Sequence, residues 1–234
     1  MKKTAFCAML SMVLLSSCMQ SEKKDAKPVS ELDSLATSIE SSIKSPEGVK
    51  KLLRYHRKFD EKQVESWLLR IPEELKDKVV MDLCQYYEVM KITEHGKKYI
   101  DFSMKNSENQ EKKLSEYISH NPYTLLDFWA SWGEGQEKNY AQLVNIYHEY
   151  HKKGLEIVGF SLDTDEEAWK KAIAEKHLSW PQFCDLKGTQ STLYQQYSHI
   201  GFQTSFLIDQ QGNIIGKFKN IDEFSAKIKE LMDK

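Results

Sequence analysis

The stretch YTLLDFWASWGEGQEKNYAQLVNIYHEYHKKGLEIVGFSL, residues 123–162, decides how this chain is read. It opens with an apolar run, residues 123–130, of strand length and strand composition. Over residues 137–153 the period changes. Leu143, Ile146, Tyr147 and Tyr150 recur at spacings of three and four, which lines one face of a helix. A second run, residues 155–162, is almost continuously apolar, as expected of a strand with helices over both faces of its sheet.

The same alternation continues toward the C-terminus. Residues 165–177 predict a helix with acids in its first turn, where the helix dipole favours them. WPQFCD (180–185) predicts a short strand and STLYQQYS (191–198) a short helix. TSFLIDQQGNIIGKF (204–218) predicts a hairpin turning at 210–213, and residues 222–234 a closing helix. Strands separated by helices, then a hairpin and a helix, predict an α/β sheet of mixed direction. Trp129, Trp132, Trp169 and Trp180 fit core or groove positions, with Trp132 at an exposed cleft.

Residues 31–94 read as a separate helical segment. Leu75, Val79, Leu83, Tyr87 and Met90 predict one apolar helix face, and Trp67, Leu68 and Ile71 another over 64–71. Pro72 either ends that helix or opens the next one, and SPEG (45–48) predicts a break.

At the N-terminus, Lys2 and Lys3 precede an apolar run from Ala5 to Leu15, too short to span a bilayer but suited to a signal peptide. LSSC (15–18) resembles a bacterial lipobox, which implies acylation of Cys18. The expected organisation is a signal peptide at 1–17, a lipid-anchored tether at 18–30, the helical segment at 31–94 and a main domain at 95–234. The chain is then expected in the cell envelope, periplasm-facing or at the surface, held to a membrane by its N-terminal lipid. With 40% hydrophobic and 29% charged residues and a net charge of −2, it reads as a globular protein. That charge argues against nucleic acid as a partner. Of four cysteines, Cys84 and Cys184 remain in the mature chain, as one bridge or two thiols.

Taken together, YTLLDFWASW, GLEIVGFSLDTDEEAWKKAI, WPQFCDLKG and FLIDQQGNIIGKF resemble the thioredoxin-fold domain of the TlpA/ResA-like lipoproteins, grouped with the AhpC/TSA (redoxin) proteins, over residues 95–234. The resemblance implies a thioredoxin-like mixed sheet flanked by helices, preceded here by a small helical segment. It also implies three catalytic elements: a cysteine at a helix N-terminus, a second one turn later that resolves the mixed disulfide, and a facing cis-proline. Carried over by position, the cysteines fall on Gly133 and Gln136, with Glu134 and Gly135 between them, and the proline falls on Gln203. All three elements are replaced. Asp127 matches the buried Asp that in relatives helps move a proton to the resolving cysteine.

Two functions follow. One is a non-catalytic module holding an envelope protein or peptide in the old substrate groove, lined by Trp132, Gly133, Glu134, Gln136, Phe202 and Gln203. The other is a thiol–disulfide oxidoreductase or peroxiredoxin-like enzyme with a relocated thiol, Cys184, alone or with Cys84. Cys184 is expected at the carboxyl edge of the sheet, where open α/β sheets bind ligands. Asp127 is expected to be a structural carboxylate held by water or backbone, with a raised pKa. Asp163 and Asp165 read as loop and helix-cap residues. His148 and His151 lie at i, i+3 without a third ligand, so no metal is expected, and no cofactor.

Overall fold

A computed structural model of the protein describes residues 30–133, 137–197 and 204–233. The chain enters this structure through four capped helices. Ser30 and Asp33 form a reciprocal capping box on α1 (Glu31–Ser42). Ser45 caps α2 (Pro46–Tyr55), with Pro46 in the first turn, so the SPEG break falls between two helices. Asp60 and Asp77 cap α3 (Glu61–Leu68) and α4 (Lys78–Ile92). Ile39, Ile43, Leu52, Val64, Trp67, Leu83 and Tyr87 close a core of their own between these helices. Glu40 ties α1 to α3 by accepting from Trp67 Nε1 and Arg70.

The apolar face of α4 is the one predicted except in its first turn, where Val80 is buried in place of Val79. Val80, Leu83 and Tyr87 are buried, Met90 is half-buried, and Val79 is 57% exposed. Leu75 belongs to a separate 3-10 turn, Glu73–Leu75. The Asp77 cap restarts the helix at Lys78, so a periodicity counted from Leu75 places the first turn one residue early.

A small ribbon precedes the main sheet: β1 (Ser103–Lys105) antiparallel to β2 (Glu111–Lys113), followed by α5 (Leu114–His120). The sequence reading assigned no element here, because a three-residue strand is too short to carry a period.

The main sheet has five strands in the order β5-β4-β3-β6-β7. β3 (Tyr123–Trp129) lies parallel to β4 (Leu155–Ser161), and β4 parallel to β5 (Gln182–Cys184). β6 (Ser205–Asp209) is antiparallel to β3 and to β7 (Ile214–Phe218). The mixed direction is as predicted. Strand β4 is buried along its whole length, as its composition requires. One face of the sheet packs under α6 (Glu137–Tyr150), α7 (Glu166–Glu175) and α9 (Ile221–Met232), the other under α5 and α8 (Thr192–Tyr197). Gly154 lets the chain reverse from the end of α6 into β4: its φ is +109°, and a Cβ there would lie 2.7 Å from the Pro122 ring.

The helical segment meets the sheet at β7. Lys217 lies over the Phe206 ring and reaches Met90 Sδ at 3.2 Å and Thr93 Oγ1 at 3.4 Å. Residues 96–99 then pair along the hairpin, with Gly96 N donating to Ile214 O and Ile214 N to Lys97 O. No described helix is long and apolar enough to cross a membrane.

Candidate functional site

Strand register brings the site together. Trp129, Ser161 and Cys184 stand side by side at the carboxyl ends of β3, β4 and β5. This is the edge where the sequence reading placed Cys184. Past β3 the chain turns through Ser131 and Trp132, which is 54% exposed, to the buried Gly133. Gly133 N closes that turn on Ala130 O at 3.3 Å. Helix α6 begins at Glu137. Glu134 and Gln136, Phe202 and Gln203, and Cys18 lie outside the described residues.

The turn is held by a residue that was read as ordinary loop. Asp163 is 2% exposed. Its carboxylate accepts from Ser131 N, Ser131 Oγ and Ser161 Oγ, and its backbone N–H donates to Ser161 Oγ at 2.9 Å. Three donors on one carboxylate satisfy a charge that burial would otherwise penalise. The sequence signal was a Ser-x-Asp directly after a fully apolar strand. Asp165 is the cap of α7, as read, accepting from Glu167 N and Ala168 N.

Beneath the turn Asp127 projects from β3. Among the described residues its partner is the Ser205 hydroxyl, a side chain and not the backbone, which donates to Oδ1 at 2.6 Å. Burial raises the Asp127 pKa, and the Ser205 bond only partly opposes it. Asp127 lines a cavity of about 50 Å³ bounded by Phe128, Asn139, Tyr140, Leu143, Phe218 and Lys219, among others. On the same face of β3, toward β5, Trp129 Nε1 donates to Gln182 Oε1 at 2.9 Å.

The two thiols are free and lie in different cores, Cys84 against the helical segment and Cys184 against the α6–α7 face. The Cys184 thiol donates to Asp163 O at 3.4 Å and accepts from Leu186 N at 3.4 Å. Burial pushes both thiols up, away from the reactive thiolate. His151 packs on the Tyr147 ring at 4.5 Å, with Nδ1 3.3 Å from Leu155 O. Among the described residues, no group of three or more His, Cys, Asp or Glu is placed to hold a metal.

The frame has known counterparts. The sequence profile of the AhpC/TSA family matches residues 95–217. The thiol-disulfide oxidoreductase ResA of Bacillus cereus is 26% identical over 149 residues, covering 64% of this chain and 83% of that one. The structure of a thiol-disulfide oxidoreductase from Bacteroides fragilis superposes with a TM-score of 0.54 at 36% identity, over 58% of this chain and 99% of the other. The thioredoxin domain of a thiol-disulfide oxidoreductase from Bacteroides vulgatus superposes with a TM-score of 0.54 at 26% identity, over 59% and 98%.

Proposed function

The chain belongs to the AhpC/TSA family, with a thioredoxin fold and thiol-disulfide oxidoreductase relatives, and from that premise we propose that it is a non-catalytic member that binds a peptide or protein in the cell envelope. The observation that carries this reading is the state of the thiols. The turn from β3 toward α6 presents Gly133 where the resemblance puts the attacking cysteine. The two described cysteines are elsewhere, and burial raises the pKa of both. Thiol–disulfide exchange needs a thiolate to attack and a second thiol to resolve the mixed disulfide. Among the described residues neither Cys84 nor Cys184 has a partner thiol, and the different cores they occupy keep them from serving each other.

What remains suits binding. Trp132 stands exposed at the carboxyl edge of the sheet, on a turn fixed by the Asp163 network. An aromatic side chain on a rigid turn supplies contact area at low entropic cost. In this proposal the groove continues over Gly133, Glu134, Gln136, Phe202 and Gln203, and the lipid on Cys18 holds the module at a membrane.

The test is a disulfide reductase assay on the chain from residue 19 onward, against its Cys84→Ala/Cys184→Ala variant. Equal rates at background support the proposal. A rate tenfold above the variant, a difference of about 1.4 kcal/mol in barrier, restores the relocated-thiol enzyme in its place. Cross-linking from Trp132, replaced by a photoreactive aromatic residue, then identifies what the groove holds.

A further inference from the structure

The cavity above Asp127 has a composition the binding reading does not use. Its walls are mixed: Leu125, Phe128, Leu143, Phe218 and Phe224 are apolar, and Asn139 and Asn220 add polar side chains. Its polar floor is Asp127 and Ser205, joined by the 2.6 Å hydrogen bond. Among the described residues Ser205 is the hydrogen-bond partner of Asp127. Besides Asp127, the titratable or charged groups on the cavity are Tyr140 from α6 and Lys219 from the loop before α9. Lys219 is exposed at the rim, where water screens its charge. Farther out, Asp222 and Glu223 in the first turn of α9 are engaged by Gln142 and Asn220.

From this geometry we infer that the cavity is a subsite for a carboxamide, the side chain of an Asn or Gln on the bound peptide. The inference rests on the peptide-binding reading above. The size fits: about 50 Å³ holds a group of about three non-hydrogen atoms, taking ~10–15 Å³ for each water-sized occupant. The hydrogen-bond pattern fits as well. A protonated Asp127 offers O–H to the amide carbonyl. Ser205 Oγ, whose hydrogen is committed to Asp127, keeps lone pairs for the amide N–H. Charge decides against the carboxylate analogues. The burial that raises the Asp127 pKa penalises a second charge at the cavity for the same reason. An aliphatic side chain would fill the space without engaging the Asp127–Ser205 pair.

The probe is acetamide, compared with acetate and methyl acetate, titrated into the isotopically labelled chain from residue 19 onward. Signals of Asp127, Ser205 and Phe218 report binding by nuclear magnetic resonance. Acetamide should shift them saturably, at least tenfold more tightly than acetate. Its affinity should fall as pH rises through the Asp127 titration, followed in the same samples by the carboxyl carbon shift. In Asp127→Asn, which keeps a donor but cannot ionise, the acetamide affinity should become independent of pH. Acetate binding as tightly as acetamide, or no shift at the cavity with either, overturns the subsite. A pH-dependent affinity that persists in Asp127→Asn also overturns it. These outcomes are separate from the reductase assay. Reductase activity would remove the binding reading while leaving an acetamide site standing, and an inert chain with no acetamide site would keep the groove but lose this pocket.

Discussion

Gly159→Ala is a one-carbon change in the middle of β4, and the structure assigns it a large cost. The added Cβ would lie 2.2 Å from Gln182 Oε1 and 2.8 Å from its Cδ. The Gln182 side chain is buried at 1% exposure and has little room to retreat. Its Oε1 is also the acceptor for Trp129 Nε1. Two penalties therefore combine. Overpacking a tight core costs about 1–3 kcal/mol. Pushing the amide away leaves the buried indole N–H unpaired, about 1–3 kcal/mol more. The gain from replacing Gly by Ala in a strand returns only about 0.5–1 kcal/mol. The expected net loss is about 2–4 kcal/mol, read from the shift of the urea midpoint at constant m-value. Gln182→Ala should itself cost about 2–3 kcal/mol, through the cavity and the orphaned indole. The double variant is the sharper test. With the Gln182 amide gone, the methyl group added at position 159 enters vacated space, so the two losses should fall short of their sum by at least ~1 kcal/mol. Additivity within about 0.5 kcal/mol, or a Gly159→Ala loss below ~1 kcal/mol, would refute the argument that this contact limits β4.

Three further outcomes are expected. Asp163→Ala strands the Ser131 and Ser161 donors and should destabilise the fold by about 2–4 kcal/mol in urea unfolding, with Trp132 fluorescence shifting before the global transition; a simultaneous transition would show that the turn is not held separately. Asp127 has a folded pKa above its unfolded value, so the folded state binds the extra proton and stability should fall as pH rises through that interval, then level off. Asp127→Asn should remove this slope and be the more stable chain at neutral pH, and a slope of opposite sign in the wild type would contradict the burial argument. Cys184 should react with a disulfide reagent at about pH 7.5 more slowly than free cysteine, because burial raises its thiol; a rate matching or exceeding free cysteine would count against the non-catalytic reading.

The main sheet was legible because its signals are long or repeated. Seven residues of β4 are buried on both faces, so the run needs no alternation to be seen. The face of α6 carrying Leu143, Ile146, Tyr147 and Tyr150 is buried as read, because that helix runs fourteen residues without a break. Where the signal is short, tertiary contacts decide. The β1–β2 ribbon has three residues per strand and is joined to the sheet through a bridge from Asn106 to Phe183, which no local pattern announces. The first turn of α4 was misplaced by one residue for a related reason: a 3-10 turn and the Asp77 cap separate Leu75 from the helix it seemed to begin.

The candidate site divides along another line. Cys184 was placed on the correct edge because strand order follows from topology, and its register with Ser161 puts it there. Asp163 was missed because its role depends on Ser131, thirty-two residues away in sequence, and a carboxylate before a helix has an ordinary local explanation. The partner of Asp127 was missed likewise, since Ser205 is brought opposite it only by the antiparallel pairing of β3 with β6. The groups that build the fold and the groups that would perform exchange chemistry occupy different positions here. The buried residues of β3, β4 and β6 and the facing residues of α6 need no thiol to pack. A cysteine at the head of α6 would contribute reactivity and almost no core. Where the resemblance puts that cysteine this chain carries Gly133, a difference those packed residues do not register, and for that reason family membership is read easily from this sequence while activity has to be argued from the surviving side chains.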